Sequence, residues 1–145
     1  MSKGTCLRKF EDSGACINFV MFYKDDTQVI SGSDRIKVWG LNSGKKINEF
    51  GILNNNSNIT HIKNYESDLI ITAASDGYIR IFNTRTGVQK FLITPKKSMP
   101  NVEKGSFYAD VLDEERILLC SQERYLCISD FDGRIIKTFG LEDKT

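Results

Sequence analysis

Apolar residues in this chain come in short runs, and inside the runs they alternate with polar ones. Residues 35–39, RIKVW, put Ile36 and Val38 on one side of an extended backbone and Lys37 on the other; residues 78–82, YIRIF, repeat the pattern with Ile79 and Ile81 about Arg80. A period of two marks a β-strand, because successive side chains of an extended chain point to opposite faces. Strand-like segments of this kind follow one another at 15–22, 28–31, 35–39, 45–50, 59–65, 69–72, 78–82, 88–93, 107–112, 116–120, 125–129 and 134–139. No window sets apolar residues at i, i+3, i+4 and i+7 behind a cap, so no helix is expected. Between the segments lie YKDDT, NSGK, ESD, SDG, RTG, DEE and DG, residue types that stabilise bends. The fold class is all-β.

The segments also repeat. Gly4, Gly44, Gly87 and Gly133 recur at intervals of 40, 43 and 46 residues, the spacing of β-propeller blades. A phenylalanine stands six residues after three of them, as Phe10, Phe50 and Phe139; after Gly87 the place is held by Ile93, with Phe91 two residues earlier on the same side. Ahead of each later glycine stand two apolar residues one apart: Ile36 and Val38, Ile79 and Ile81, Leu126 and Ile128.

Three stretches carry a family likeness: FYKDDTQVISGSDRIKVWGLNSGKKINEF from Phe22, TAASDGYIRIFNTRTG from Thr72 and LLCSQERYLCISDFDGRIIKTF from Leu118. With them the chain resembles the WD-repeat β-propeller family over nearly its whole length. The resemblance implies one propeller-type domain, or part of one, over residues 1–145. It implies three four-stranded antiparallel blades at 15–50, 59–93 and 106–139, a long inter-blade loop at 94–105, and an extra N-terminal strand at 4–10 that serves as the outer strand of a preceding blade. Departures from the pattern are specific. The family's turn histidine is missing, its tryptophan survives only as Trp39 and is replaced by Phe82 and Ser129, and the aspartate after it is Gly40, Asn83 and Asp130. The polar brace inside each blade is therefore expected to be incomplete. Trp39 and Phe82, with Asp34 and Asp76 in the turns, are read as structural.

Three blades do not close a ring. A blade face of about 300 Å² in outline, if apolar, is worth roughly 8 kcal/mol when buried. Two bare faces then weigh as much as a typical net stability of about 5–15 kcal/mol. Further blades, from another subunit or other sequence, are expected to complete the structure.

Charge and composition narrow the function. Lysine and arginine number 20 against 19 acidic residues, so no chain-wide field attracts nucleic acid or an anionic membrane. No run of about 18 apolar residues offers a membrane span, and MSKGTCLRKF lacks the apolar stretch of a secretory signal, so an intracellular location, cytoplasmic or nuclear, is expected. Cys6, Cys16, Cys120 and Cys127 sit in strand-like contexts and read as free, core-forming thiols; their spacing does not make the close pairs of a structural zinc site. No catalytic motif is present, and His61, the single histidine, falls inside a strand. No catalytic residue, metal or cofactor is assigned.

The resemblance implies a non-enzymatic protein–protein interaction scaffold. In that family the turns between second and third strands form a binding face. Carried over residue by residue, those turns hold Arg35, then Ser75 and Tyr78, then Gln122, Arg124 and Tyr125. Lys96 and Lys97 in the long loop join them as candidate partner contacts, since loops on a rigid scaffold carry recognition. The alternative is an RNA-associated WD-repeat factor binding through the basic loop 94–105.

Overall fold

The computed structural model describes residues 3–11, 16–51, 53, 57–94, 107–121 and 126–139, the side chain of Phe107 excepted. Among these residues there are twelve strands and no helix. The first sheet contains β1 (Phe19–Tyr23), β2 (Gln28–Gly32), β3 (Ile36–Gly40) and β4 (Lys46–Phe50). The second contains β5 (Ile59–Glu66), β6 (Leu69–Ala74), β7 (Ile79–Asn83) and β8 (Gln89–Ile93), and the third β9 (Phe107–Val111), β10 (Arg116–Ser121), β11 (Leu126–Asp130) and β12 (Ile135–Phe139). Each is an antiparallel meander in which every strand pairs with its neighbour in sequence.

The register repeats from sheet to sheet. Ile36 faces Phe50, Ile79 faces Ile93 and Leu126 faces Phe139 across the third and fourth strands. A bulge interrupts that ladder at the same place each time, after Val38, Ile81 and Ile128. A bulge turns the strand and strengthens its twist, so one irregularity repeated gives the sheets one shape.

Two apolar seams join the sheets. In the first, Ile30, Ile36, Val38 and Phe50 meet Ile59, Ile62, Ile70 and Phe82. In the second, Ile71, Ile79, Ile81 and Ile93 meet Ala109, Ile117, Leu119 and Cys127. Ile70 and Ile71 are neighbours in sequence, face opposite seams and are both 0% exposed. The first strands lie side by side, β1 next to β5 and β5 next to β9. Along them Phe19, His61 and Tyr108, each at the equivalent register position, form an aromatic column with ring centroids 5.1 and 4.8 Å apart. Two residues further along β5 and β9, Lys63 pairs with Asp110.

Among the described residues, 4–10 pair with no strand of the three sheets, and β3, β7 and β11 are each already paired on both sides, so an outer strand of a preceding blade would find its ladder partner outside these sheets. The segment lies on the outer face of the first sheet, where the Phe10 ring meets Trp39 edge-on at 5.9 Å. One expectation needs correction. The cysteines are free, but only Cys127 is buried; Cys6 and Cys16 lie outside strands, and Cys120 is exposed on the far face of the third sheet. Burial raises the Cys127 thiol to about 11. Most of the long loop, residues 95–106, lies outside the described residues.

The β1–β2 hairpin carries three consecutive non-glycine residues in the left-handed region, Lys24, Asp25 and Asp26, with φ of 50°, 50° and 60°. Each such residue costs about 1–2 kcal/mol. Lys24 is held there from outside: its Nζ lies 2.8 Å from Asp68 on the β5–β6 hairpin. Beside it the Tyr23 hydroxyl reaches Thr84 Oγ1 at 2.7 Å and donates to the Ser67 carbonyl at 2.9 Å.

Two measurements check this packing. Ile81→Ala, at a position 0% exposed, is expected to cost about 2–5 kcal/mol in urea unfolding. Val20→Ala, at an apolar position 62% exposed on the outer face of the first sheet, is expected to stay within about 0.5 kcal/mol. His61 gives a pH signature. Its Nδ1 is buried without a hydrogen bond, and burial, with Lys63 adding and Asp110 opposing, holds the ring's pKa below the ordinary 6.5. As pH falls the unfolded chain takes up the proton first, so stability declines on acidification from pH 7 through 6.5 and levels off only once the folded ring is also protonated. In His61→Phe, which keeps an aromatic ring in the column, the urea midpoint is expected to lose that decline.

Candidate protein-interaction face

Because every sheet is a meander, the β2–β3 and β6–β7 turns lie at the same end of their sheets as the β4–β5 connection. The two turns are built differently. In the first, the Ser33 hydroxyl donates to Asp34 Oδ1 at 3.0 Å, and the Arg35 side chain reaches back along the sheet to Glu49, Nη1 to Oε1 at 3.0 Å. Glu49 also pairs with Lys46. These contacts hold its carboxyl below the usual range, the hydrogen bond from Lys46 contributing most. The Arg35 side chain is 44% exposed, so its guanidinium is positioned yet still open to solvent. It lines a cleft of about 350 Å³ with Glu49, Phe50, Gly51, Phe82 and Gln89, between the outer parts of the first two sheets.

In the second turn Asp76 is the organising residue. Its Oδ1 accepts from the Tyr78 amide at 3.0 Å and from Arg80 Nη1 at 3.2 Å, while Oδ2 accepts from Arg80 Nη2 at 2.7 Å. The two charged side chains are only 9% and 10% exposed, a bidentate pair shielded from water. The Tyr78 ring lies against the Arg80 guanidinium, 5.2 Å from its carbon to the ring centroid. Ser75 is exposed at the turn's edge, its hydroxyl accepting the Asn58 amide at 2.9 Å. The turn therefore presents Tyr78 from a backbone that cannot easily deform.

Trp39 and Phe82 occupy the same register position in their sheets. The Trp39 indole donates to Ser31 Oγ at 2.8 Å, and Phe82 packs on Phe50 with centroids 5.6 Å apart. Sequence reasoning did not single out Arg80 or Glu49. Arg80 was legible only as a polar residue between two isoleucines, and its distance of four residues from Asp76 across a tight turn was the available signal. Gln122, Arg124 and Tyr125, and Lys96 and Lys97, lie outside the described residues. Among the described residues no three His, Cys, Asp or Glu side chains gather as a metal site would require. A cleft of about 590 Å³ is at the opposite end, between the β1–β2 and β5–β6 hairpins, and is lined by Lys24, Asp25, Asn64, Glu66 and Asp68 among others.

No family model matches the chain. Over 78 residues, 50% of its length, it is 37% identical to the "Protein raptor homolog" of Dictyostelium discoideum, of which the matched stretch is 5%. In three dimensions it is similar to the WD40 β-propeller domain of Doa1, with a TM-score of 0.71 at 18% identity over 92% of this chain and 43% of that one. The WD40 repeats of RRP9 give a TM-score of 0.71 at 12% identity over 94% and 42%. The computationally designed Ika4 protein gives 0.65 at 17% over 94% and 80%. The chain thus spans under half of these natural propellers. It is a run of β-propeller blades. Its fold is that of the WD40 propellers to which it is similar in three dimensions.

Asp76→Asn is expected to destabilise the fold by about 3 kcal/mol, because it leaves the Arg80 charge buried without its counter-ion. Combining it with Arg80→Met is expected to recover most of that loss, a non-additivity that urea unfolding of the single and double variants measures directly.

Proposed function

We propose that this chain is a non-enzymatic protein–protein interaction scaffold of the WD-repeat type, a three-blade portion that further blades complete within a multiprotein assembly. One observation carries the reading: Arg35 and Tyr78 are presented at the same end of adjacent sheets, the first from a turn closed by the Ser33 amide on the Arg35 carbonyl, the second from a turn whose Tyr78 amide is held by Asp76. Arg and Tyr are frequent anchors of protein interfaces, since each covers a large contact area at small entropic cost. The two turns differ in sequence while the strands that hold them repeat, which is how a scaffold separates its partner-reading residues from its architecture. Ser75 extends the surface, and Gln122, Arg124 and Tyr125, between β10 and β11 in sequence, are assigned to it as the third turn. Lys96 and Lys97 are assigned to the same partner surface. Four free cysteines fit a reducing, intracellular compartment.

The test is comparative co-purification. Tagged wild-type chain is expressed in cells beside an Arg35→Ala/Tyr78→Ala variant, and bound proteins are quantified by mass spectrometry. The variant is expected to lose a discrete set of partners by about tenfold or more. Its urea midpoint should move little, since an exposed pair such as Arg35–Glu49 contributes about 0–1 kcal/mol. Partner recovery unchanged in a folded variant would overturn this site.

A further inference from the structure

Both outer faces of the three-sheet stack are unfilled halves of the seams inside it. The Ile36–Phe50 and Ile79–Ile93 pairs are covered by the next sheet, with exposures of 0% and 8%, then 0% and 0%. The equivalent pair in the third sheet, Leu126–Phe139, is 38% and 41% exposed. At the other end Val20 is 62% exposed, whereas Ile62 and Ala109, in the same register position of β5 and β9, are each 2% exposed. The aromatic column likewise ends open at Tyr108 on one side and Phe19 on the other. In chemistry the two faces are complementary: the third sheet of one copy carries what the first sheet of another lacks. Such a head-to-tail contact would give six blades from two copies, or a growing chain if the rotation failed to close.

Residues 3–11 stand in the way. In the first seam Phe50 from the outer strand packs on Phe82, and it also fills the space over Gly87, whose added Cβ would lie 3.0 Å from Phe50 Cβ. On the outer face of the first sheet Trp39 replaces Phe82 and Gly44 replaces Gly87. There the contacts come from the chain itself, Phe10 on Trp39 at 5.9 Å and Arg8 over Gly44 with Nη1 3.1 Å from an added Cβ. Phe10 therefore occupies the place that Phe139 of a second copy would take.

We infer that residues 3–11 are a self-assembly block: they occupy the Trp39–Gly44 part of the first sheet's outer face, where the outer strand of the third sheet of another copy would seat. The inference rests on reading the outer faces as inter-blade seams. It also bears on the choice of partner, because a blade that brings its own outer strand is excluded from this face, and every blade of this chain brings one.

The test uses the full chain and three substitution states, wild type, Phe10→Asp and Phe10→Asp/Phe139→Asp, in sedimentation velocity from about 1 to 100 μM. Trp39 is the only tryptophan, so its emission reports whether the block is in place. Phe10→Asp is expected to shift that emission to the red at low concentration, to associate about tenfold or more tightly than wild type, and to shift back to the blue as it does so. The second substitution is expected to restore wild-type sedimentation while the red shift stays. A folded Phe10→Asp chain with red-shifted emission and no gain in association would overturn the inference, as would wild type associating as tightly as the variant. Should Phe10→Asp fail to fold by circular dichroism, Phe10→Ala is measured in its place against the same two outcomes. Partner recovery by wild type is read in a separate experiment, so loss of this inference leaves the scaffold reading standing, and the reverse.

Discussion

β6 is buried at every position from Leu69 to Ala74, so neither of its faces has a side turned to water. A strand of this kind needs an apolar sheet on each side, since its two faces would otherwise expose isoleucine to solvent at about 25 cal/mol per Å². The first and third sheets meet that need from opposite sides, through Ile30 and Val38 on one and Ile117 and Leu119 on the other. Their spacing, the shared bulge position and the column of inner-strand rings all follow from two seams being packed at once. The molecule is a stack, and its ends are defined by where the stacking stops.

Most of this architecture was legible in the sequence, because alternation, turn residues and a glycine interval are local signals that tertiary context had no reason to override. Pairs such as Ile79 and Ile81 about Arg80 gave strand and face together. The failures came where a residue's state depends on what lies across from it. Cys6 and Cys16 look like Cys127 in composition and differ only in being left uncovered. Of the candidate face, Arg35, Ser75 and Tyr78 were found by position in the repeat; the Asp76–Arg80 pair was not, since a charge between two core residues reads equally as the solvent side of a strand.

The same comparison explains how the blades do without the missing brace. The first sheet keeps an indole-to-hydroxyl bond, Trp39 to Ser31. In the second, the aromatic position is purely apolar and the polar work moves to the guanidinium–carboxylate pair beneath Tyr78. In the third, Ser129 is 0% exposed and its hydroxyl donates to the neighbouring Asp130 carbonyl, a contact within its own strand. Bracing thus differs from sheet to sheet while the apolar seams continue, and the bidentate Asp76–Arg80 pair sits on the best-buried sheet.

The meander bears on how the chain finds its structure. Every ladder joins strands adjacent in sequence, so each hairpin closes a short loop, and the entropy of closing a loop grows only with the logarithm of its length. Pairing of strands adjacent in sequence favours stepwise formation, as in other repeat proteins where nucleation in one unit spreads to its neighbours. The natural starting point is the second sheet: once β6 and β7 pair, both their faces are templates, and the outer sheets condense onto a surface already in register. Synthesis from the ribosome presents the first sheet earliest, but it gains its apolar cover only when Ile62 and Ile70 arrive. The cover of the first sheet is thus supplied by the second, whichever of them forms earlier.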